Sequence, residues 1–346
     1  MKWLSLLRSF AGAAALVLSV SNAGAAARDG LQVRLSSPEP VLRGDVDVTV
    51  NVSVTNTTRE AITLMRWELP TEKPEAALFR ITRDGEAVAY TGPLIKRAPA
   101  TREDVVRIEP GATLSVDVEL TAAYDLSRNG LYTIEYTGKG AAHDGALRSA
   151  APLNLWLESR SERAASAPVV PTADASSITF TGNCSASRKT TLTNAVAAAT
   201  TYAANAQSYL GGTPAATQRY KKWFGTMTTS RWNTAKSHYT AINTAFSTKA
   251  ITLDCSCTQS YYAYVYPTQP YKIYVCNAFW SAPMTGTDSK AGTLVHEMSH
   301  FNVVAGTDDW AYGQSAAASL AISNPTRALD NADSHEYFAE NTPSLP

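Results

Sequence analysis

The sequence predicts two units in series, an all-β unit followed by a mainly helical α+β unit. Three observations carry this reading. From about Leu31 to Leu157, apolar and polar residues alternate with period two. Between Glu158 and Ser177 the chain turns rich in Ala, Ser and Pro and loses all periodicity. Beyond it lie long stretches of helical composition around a short tyrosine-rich region. At 346 residues the chain has room for two cores, given roughly 100 to 200 residues per domain.

Residues 1–25 read as a signal peptide, with Lys2 and Arg8 before an apolar run from Phe10 to Val20 and small residues Ala23-Gly24-Ala25 at the cleavage position. That run is well short of the roughly 20 residues that span a bilayer, so secretion is expected and no membrane anchor. Within 26–157, Val46, Val48, Val50, Val52 and Val54 fall on one face of a strand, and Leu114, Val116, Val118 and Leu120 on another. Asn129-Gly130-Leu131-Tyr132 precedes an alternating stretch ending at Tyr136, as a tyrosine corner precedes a late strand of an immunoglobulin-like sandwich. The expected fold of 26–157 is therefore such a sandwich, of about seven or eight short strands.

Residues 158–177, where Arg160, Glu162 and Arg163 crowd together, form an exposed linker and a natural place for proteolytic cutting. In 178–346, helices are expected near Arg188 to Leu210 and Arg231 to Phe246, and paired strands near Tyr261 to Tyr266 and Tyr271 to Val275. All four cysteines, Cys184, Cys255, Cys257 and Cys276, lie in this half of an exported chain, which implies two disulfides. A bridge across the single residue between Cys255 and Cys257 would be strained, so each should find a different partner. Lysines plus arginines equal aspartates plus glutamates at 30 each, which argues against nucleic acid as a partner.

A further helix carries His296-Glu297-Met298-Ser299-His300. Histidines four apart share a helical face and can reach one metal at about 2.0 to 2.1 Å, with the intervening Glu beside the open position. This is the arrangement of a zinc protease. Gly306-Thr307-Asp308-Asp309-Trp310-Ala311-Tyr312-Gly313 follows. Gly306 can end the helix in a left-handed cap and turn the chain so that a nearby carboxylate becomes the third ligand, leaving one position for water. Glu336 and Glu340 are alternatives for that ligand. The longer H-E-x-x-H-x-x-G-x-x-H pattern is absent, because Val303 and Gly306 stand where it needs Gly and His.

These motifs resemble those of the aspzincins, whose deuterolysins and peptidyl-Lys metalloendopeptidases carry H-E-x-x-H followed by G-T-x-D-x-x-Y-G. The likeness covers roughly Thr179 to the C-terminus. It implies a zincin-like catalytic domain at 178–346, one Zn2+ per chain, and Asp309 rather than Asp308 beside His296 and His300. It also implies transition-state stabilisation by Tyr312 and disulfides pairing Cys184 with Cys255 and Cys257 with Cys276. The β unit at 26–157 then corresponds to a propeptide, with its maturation site in 158–177. Chemically, Glu297 suits the general base, and Tyr312 can donate to the oxyanion.

From Glu297 onward seven acids face one base, Arg327. Within that stretch, Asp333 and Glu336 resemble the carboxylates that line the lysine pocket of peptidyl-Lys enzymes. They share a face if the segment is helical, and such a pocket favours cleavage on the amino side of lysine. A propeptide covering this cleft would gain affinity by inserting a lysine. Outside the signal peptide and before the linker the candidates are Lys73, Lys96 and Lys139. Lys96 is best placed, in an exposed-looking loop stiffened by Pro93 and Pro99.

The expected protein is thus a secreted zinc metalloendopeptidase made as a zymogen, acting on proteins or peptides and inhibited by its own propeptide. The alternatives are a deuterolysin-like protease without lysine preference and a non-catalytic secreted adhesion protein. A likeness to secreted bacterial exotoxins adds virulence to the expected roles.

Overall fold

The computed structural model describes residues 30–138, 147–161 and 177–346; the expected signal peptide, Lys139 and most of the linker lie outside them. The N-terminal half holds β1 (Leu31–Ser36), β2 (Val41–Arg43), β3 (Thr49–Asn56), β4 (Ile62–Met65), β5 (Phe79–Arg83), β6 (Glu86–Val88), β7 (Leu94–Lys96), β8 (Val105–Ile108), β9 (Thr113–Glu119), β10 (Gly130–Tyr136) and β11 (Leu153–Glu158). These eleven described strands exceed the expected seven or eight, because three-residue strands such as β2 and β6 are too short to show a period.

The sheets run β1-β3-β9, β2-β11-β10-β5-β6 and β4-β8. Val48, Val50, Val52 and Val54 turn inward as alternation requires, but Val46 precedes β3 and is 45% exposed. They pack with Ile134, Leu155 and Leu157 from the facing sheet in a core separate from that of the other half. Each fully buried Val or Leu stabilises such a core by roughly 1.5 to 3 kcal/mol. Tyr132 bonds back through its hydroxyl to the Arg128 carbonyl at 2.8 Å, tying down the entry to β10.

The C-terminal half contains β12 (Ile178–Thr181), α1 (Ala186–Gly211), α2 (Gln218–Phe224), α3 (Thr229–Thr248), β13 (Ile251–Asp254), β14 (Ala263–Val265), β15 (Lys272–Val275), α4 (Asn277–Ser281), α5 (Lys290–His300), α6 (Gln314–Ser323), α7 (Pro325–Leu329) and α8 (Ala332–Glu340). Ser185, Thr228 and Ser289 cap α1, α3 and α5 by accepting amide hydrogens of their first turns. The buried face of α1 is largely alanine, Ala195, Ala199, Ala203 and Ala206, which lets neighbouring helices approach closely. Gly292 in α5 is required for the same reason: a Cβ there would lie 2.1 Å from Glu340 Oε1. Cys184 is bonded to Cys255 and Cys257 to Cys276.

The second half's sheet runs β12-β13-β15-β14-β7, so its last strand comes from the N-terminal half. β7 pairs antiparallel with β14 in the register Leu94 with Val265, Ile95 with Tyr264 and Lys96 with Ala263. The sequence reading of an exposed loop at Lys96 is therefore corrected, for Lys96 ends a strand and is 1% exposed. Added to an edge, the strand satisfies backbone groups that β14 would otherwise leave open.

Candidate active site

Helix α5 lies buried along its whole length and carries His296 and His300 on one face. It ends at His300, and Gly306 adopts a left-handed φ of +60° only after an intervening turn, so Gly306 is not the helix cap expected from sequence. The turn nonetheless brings the chain back, placing Asp309 against both histidines. Asp309 Oδ1 is 3.3 Å from His296 Nε2 and 3.5 Å from His300 Nε2, and the two Nε2 atoms are 3.1 Å apart. Asp308 is held through its backbone instead, its amide donating to the Asp330 carbonyl at 2.7 Å and its carbonyl accepting from Ala332 N at 3.1 Å.

The partner of its other ring nitrogen fixes the neutral tautomer of His300. His300 Nδ1 lies 2.8 Å from the Thr307 carbonyl, which can only accept, so Nδ1 carries the proton and Nε2 a lone pair. His296 Nδ1 lies 2.8 Å from Asp333 Oδ1, a close ion-pair contact outside hydrogen-bond geometry. With both rings neutral, as a bound metal requires, two Nε2 lone pairs and a carboxylate oxygen converge in a buried space. Donors about 2.0 to 2.1 Å from a tetrahedral zinc would stand about 3.3 to 3.4 Å from one another, and these separations fit that ion. Burial opposes charge on His296, yet Asp309, Asp333 and Glu336 hold its pKa well above the ordinary imidazole value. Burial likewise works against ionised Asp309, but His300 and His296 keep its pKa low.

Glu297 is buried with neither carboxylate oxygen bonded. Burial pushes its pKa up to about 7 against the pull of His296 and His300. Tyr312 lines a small cavity with Asp309, its ring edge-on to Trp67 at 6.3 Å. Burial first, then Asp309, raises its pKa well above the usual phenol value, so its hydroxyl keeps the proton it could donate.

Asp333 and Glu336 are fully buried on α8, and the ammonium of Lys96 lies between them. Its Nζ is 2.5 Å from Glu336 Oε2, 3.4 Å from Asp333 Oδ1 and 3.8 Å from Asp288 Oδ1. The Tyr262 and Tyr337 rings flank it, with centroids at 5.4 and 5.8 Å. Desolvation disfavours this charge, but the carboxylates outweigh it and hold the Lys96 pKa well above the ordinary value. The Ile95 amide donates to Asp309 Oδ2 at 3.2 Å, so one short strand touches both clusters.

Sequence reasoning missed Asp288, Tyr262 and Asn331, and gave no role to Thr307. Asn331 is fully buried, and its Oδ1 accepts from Trp310 N and Ala311 N at 2.9 Å each, which locks the loop of Asp309 to the start of α8. Glu340 accepts from Ser289 N and Oγ at 2.9 and 2.8 Å, at the start of α5 rather than beside the Nε2 atoms. Glu336 faces the ammonium. His335 points away from the site, with its Nε2 3.0 Å from His238 Nδ1 on α3.

Comparison with known proteins adds a second line of support. Residues 209–340 match the family model described as lysine-specific metallo-endopeptidase, the aspzincins. An extracellular protease of Aeromonas hydrophila is 44% identical over 327 residues, covering 91% of this chain and 93% of its own. The chain belongs to the aspzincin family. A peptidyl-Lys metalloendopeptidase of Grifola frondosa is 38% identical over 335 residues, covering 92% of this aspzincin and 94% of the relative. The solved zinc peptidase from Grifola frondosa is 50% identical, matching 47% of this chain and all of its own with a TM-score of 0.46. This aspzincin is accordingly a zinc metalloendopeptidase, a hydrolase. Among the described residues, no helix is long and apolar enough to cross a membrane.

Proposed function

We propose that this aspzincin is a secreted zymogen that cleaves proteins on the amino side of lysine. In this reading the immunoglobulin-like unit at 26–157 is its inhibitory propeptide, and the zincin-like unit at 178–346 its catalytic domain. The single observation that carries the reading is Lys96, a lysine of the first half whose ammonium lies between Asp333 and Glu336 of the second. The names of relatives add weight, for three are called peptidyl-Lys metalloendopeptidase, at 38%, 37% and 55% identity.

His296, His300 and Asp309 would hold one zinc ion. When bound, zinc supplies a Lewis acid that lowers the pKa of water and polarises the scissile carbonyl. Glu297 takes the proton of the attacking water as the new C–O bond forms, and delivers it to the leaving amine as the C–N bond breaks. Tyr312 donates its hydroxyl hydrogen to the developing oxyanion. Substrate lies along β14 as β7 does, and its lysine ammonium is bound by Asp333, Glu336 and Asp288. A compact ammonium suits this enclosed pocket better than a planar guanidinium. After export directed by 1–25, cutting within 158–177 would free the catalytic domain.

Cleavage-site mapping on a mixed-protein digest tests this reading. Lysine should dominate the position after the cut bond; cuts spread over many residue types would instead favour a deuterolysin-like specificity.

A further inference from the structure

The strand that carries Lys96 also reports on the next position. Tyr262 donates its amide hydrogen to the Lys96 carbonyl at 3.0 Å, and beyond that bond comes Arg97. The Arg97 side chain is buried, with its guanidinium 5.2 Å from the Tyr261 ring centroid and 5.3 Å from that of Trp67. Glu75 Oε2 lies 3.6 Å from Arg97 Nη2 and accepts the Tyr261 hydroxyl hydrogen at 2.9 Å. The stack has two owners. Trp67 and Glu75 belong to the N-terminal half, whereas Tyr261 belongs to the catalytic half, where the Cys257–Cys276 disulfide spans its loop. The Tyr261 carbonyl accepts from Ala278 N at 3.0 Å, which fixes it at the start of α4.

Resting on the reading that Lys96 stands where a substrate lysine binds, we propose that Tyr261 is a specificity-determining residue for the substrate position after that lysine. It offers a ring face on which a planar side chain stacks, either arginine or an aromatic. Glu75 leaves with the N-terminal half, so the separated enzyme selects for planarity at this position more than for positive charge. Glycine and aspartate gain nothing from the ring and are poor there.

The test uses enzyme matured from the full-length chain and peptides that differ only in the residue after a single lysine: Arg, Phe, Gly or Asp. The Arg and Phe peptides should exceed the Gly peptide in kcat/KM by about threefold to tenfold, mostly through KM. Tyr261→Ala should level these rates, while Tyr261→Phe, which keeps the ring, should preserve their order. Level rates in the unsubstituted enzyme, or an unchanged order in Tyr261→Ala, would overturn the proposal. If Tyr261→Ala fails to accumulate, Tyr261→Leu removes the ring with less loss of bulk and is judged by the same outcomes. Indifference to the lysine itself would look different, because cuts would appear elsewhere in every peptide, and it would overturn the underlying reading as well.

Discussion

His296 Nδ1 lies 2.8 Å from Asp333 Oδ1, and the same carboxylate oxygen lies 3.4 Å from the ammonium of Lys96. One side chain therefore orients a candidate zinc ligand and forms a wall of the candidate lysine pocket. Glu336 is placed differently, 2.5 Å from the ammonium but 3.5 Å from His296 Nδ1. The two carboxylates should separate on substitution. Asp333→Asn is expected to lose lysine preference and also to bind zinc about 10- to 100-fold more weakly, as happens when partners of metal-bound histidines are changed. Glu336→Gln should lose the preference and keep the metal, which zinc content after dialysis and a cleavage profile measure together.

The third ligand gives a second prediction. Asp309→Ala should strip most zinc from the purified protein, because it removes a carboxylate oxygen that faces both Nε2 atoms. Asp308→Ala should retain it, since the backbone bonds of that residue to Asp330 and Ala332 survive the substitution. Equal losses would reject the assignment.

Much of this site is legible in sequence because its parts are local. His296 and His300 are one helical turn apart, Asp309 sits in the loop that follows, and Asp333 and Glu336 need only a helix between them. What sequence does not reveal is assembled across the fold. Asp288 sits in the turn before α5 and Tyr262 beside β14, and neither position differs locally from an ordinary turn or strand residue. β7 is hardest to see, because three residues between prolines show no alternation and take their strand from β14. Tertiary pairing overrides the local loop signal.

The linker carries a third prediction. No lysine occurs between Lys139 and Lys189. Pure active enzyme added to a full-length Glu297→Gln chain should therefore leave 158–177 uncut, and a protease of other specificity must open it. Peptide mapping checks this; efficient cutting there by the pure enzyme would count against strict lysine preference.

The fourth concerns acid stability. His238 and His335 face each other with pKa values lowered to about 4 and about 3, in both cases first by burial. Their folded pKa values lie below the ordinary 6.5, so the unfolded chain takes up protons first as pH falls. The pair's contribution is complete above about pH 6.5 and is lost as pH falls from there towards 4 and then 3. Thermal unfolding should show Tm dropping over that range, with a shallower drop in His238→Gln.

The most direct test concerns Lys96. The N-terminal half has a core of its own and can be supplied separately to the matured enzyme, with or without its lysine. The parent half should inhibit cleavage of a lysine peptide, and Lys96→Ala should weaken inhibition by about 2 to 5 kcal/mol, the usual loss for one partner of a buried charge pair. Equal inhibition by both would contradict the account, for the half would then cover the cleft without using its lysine.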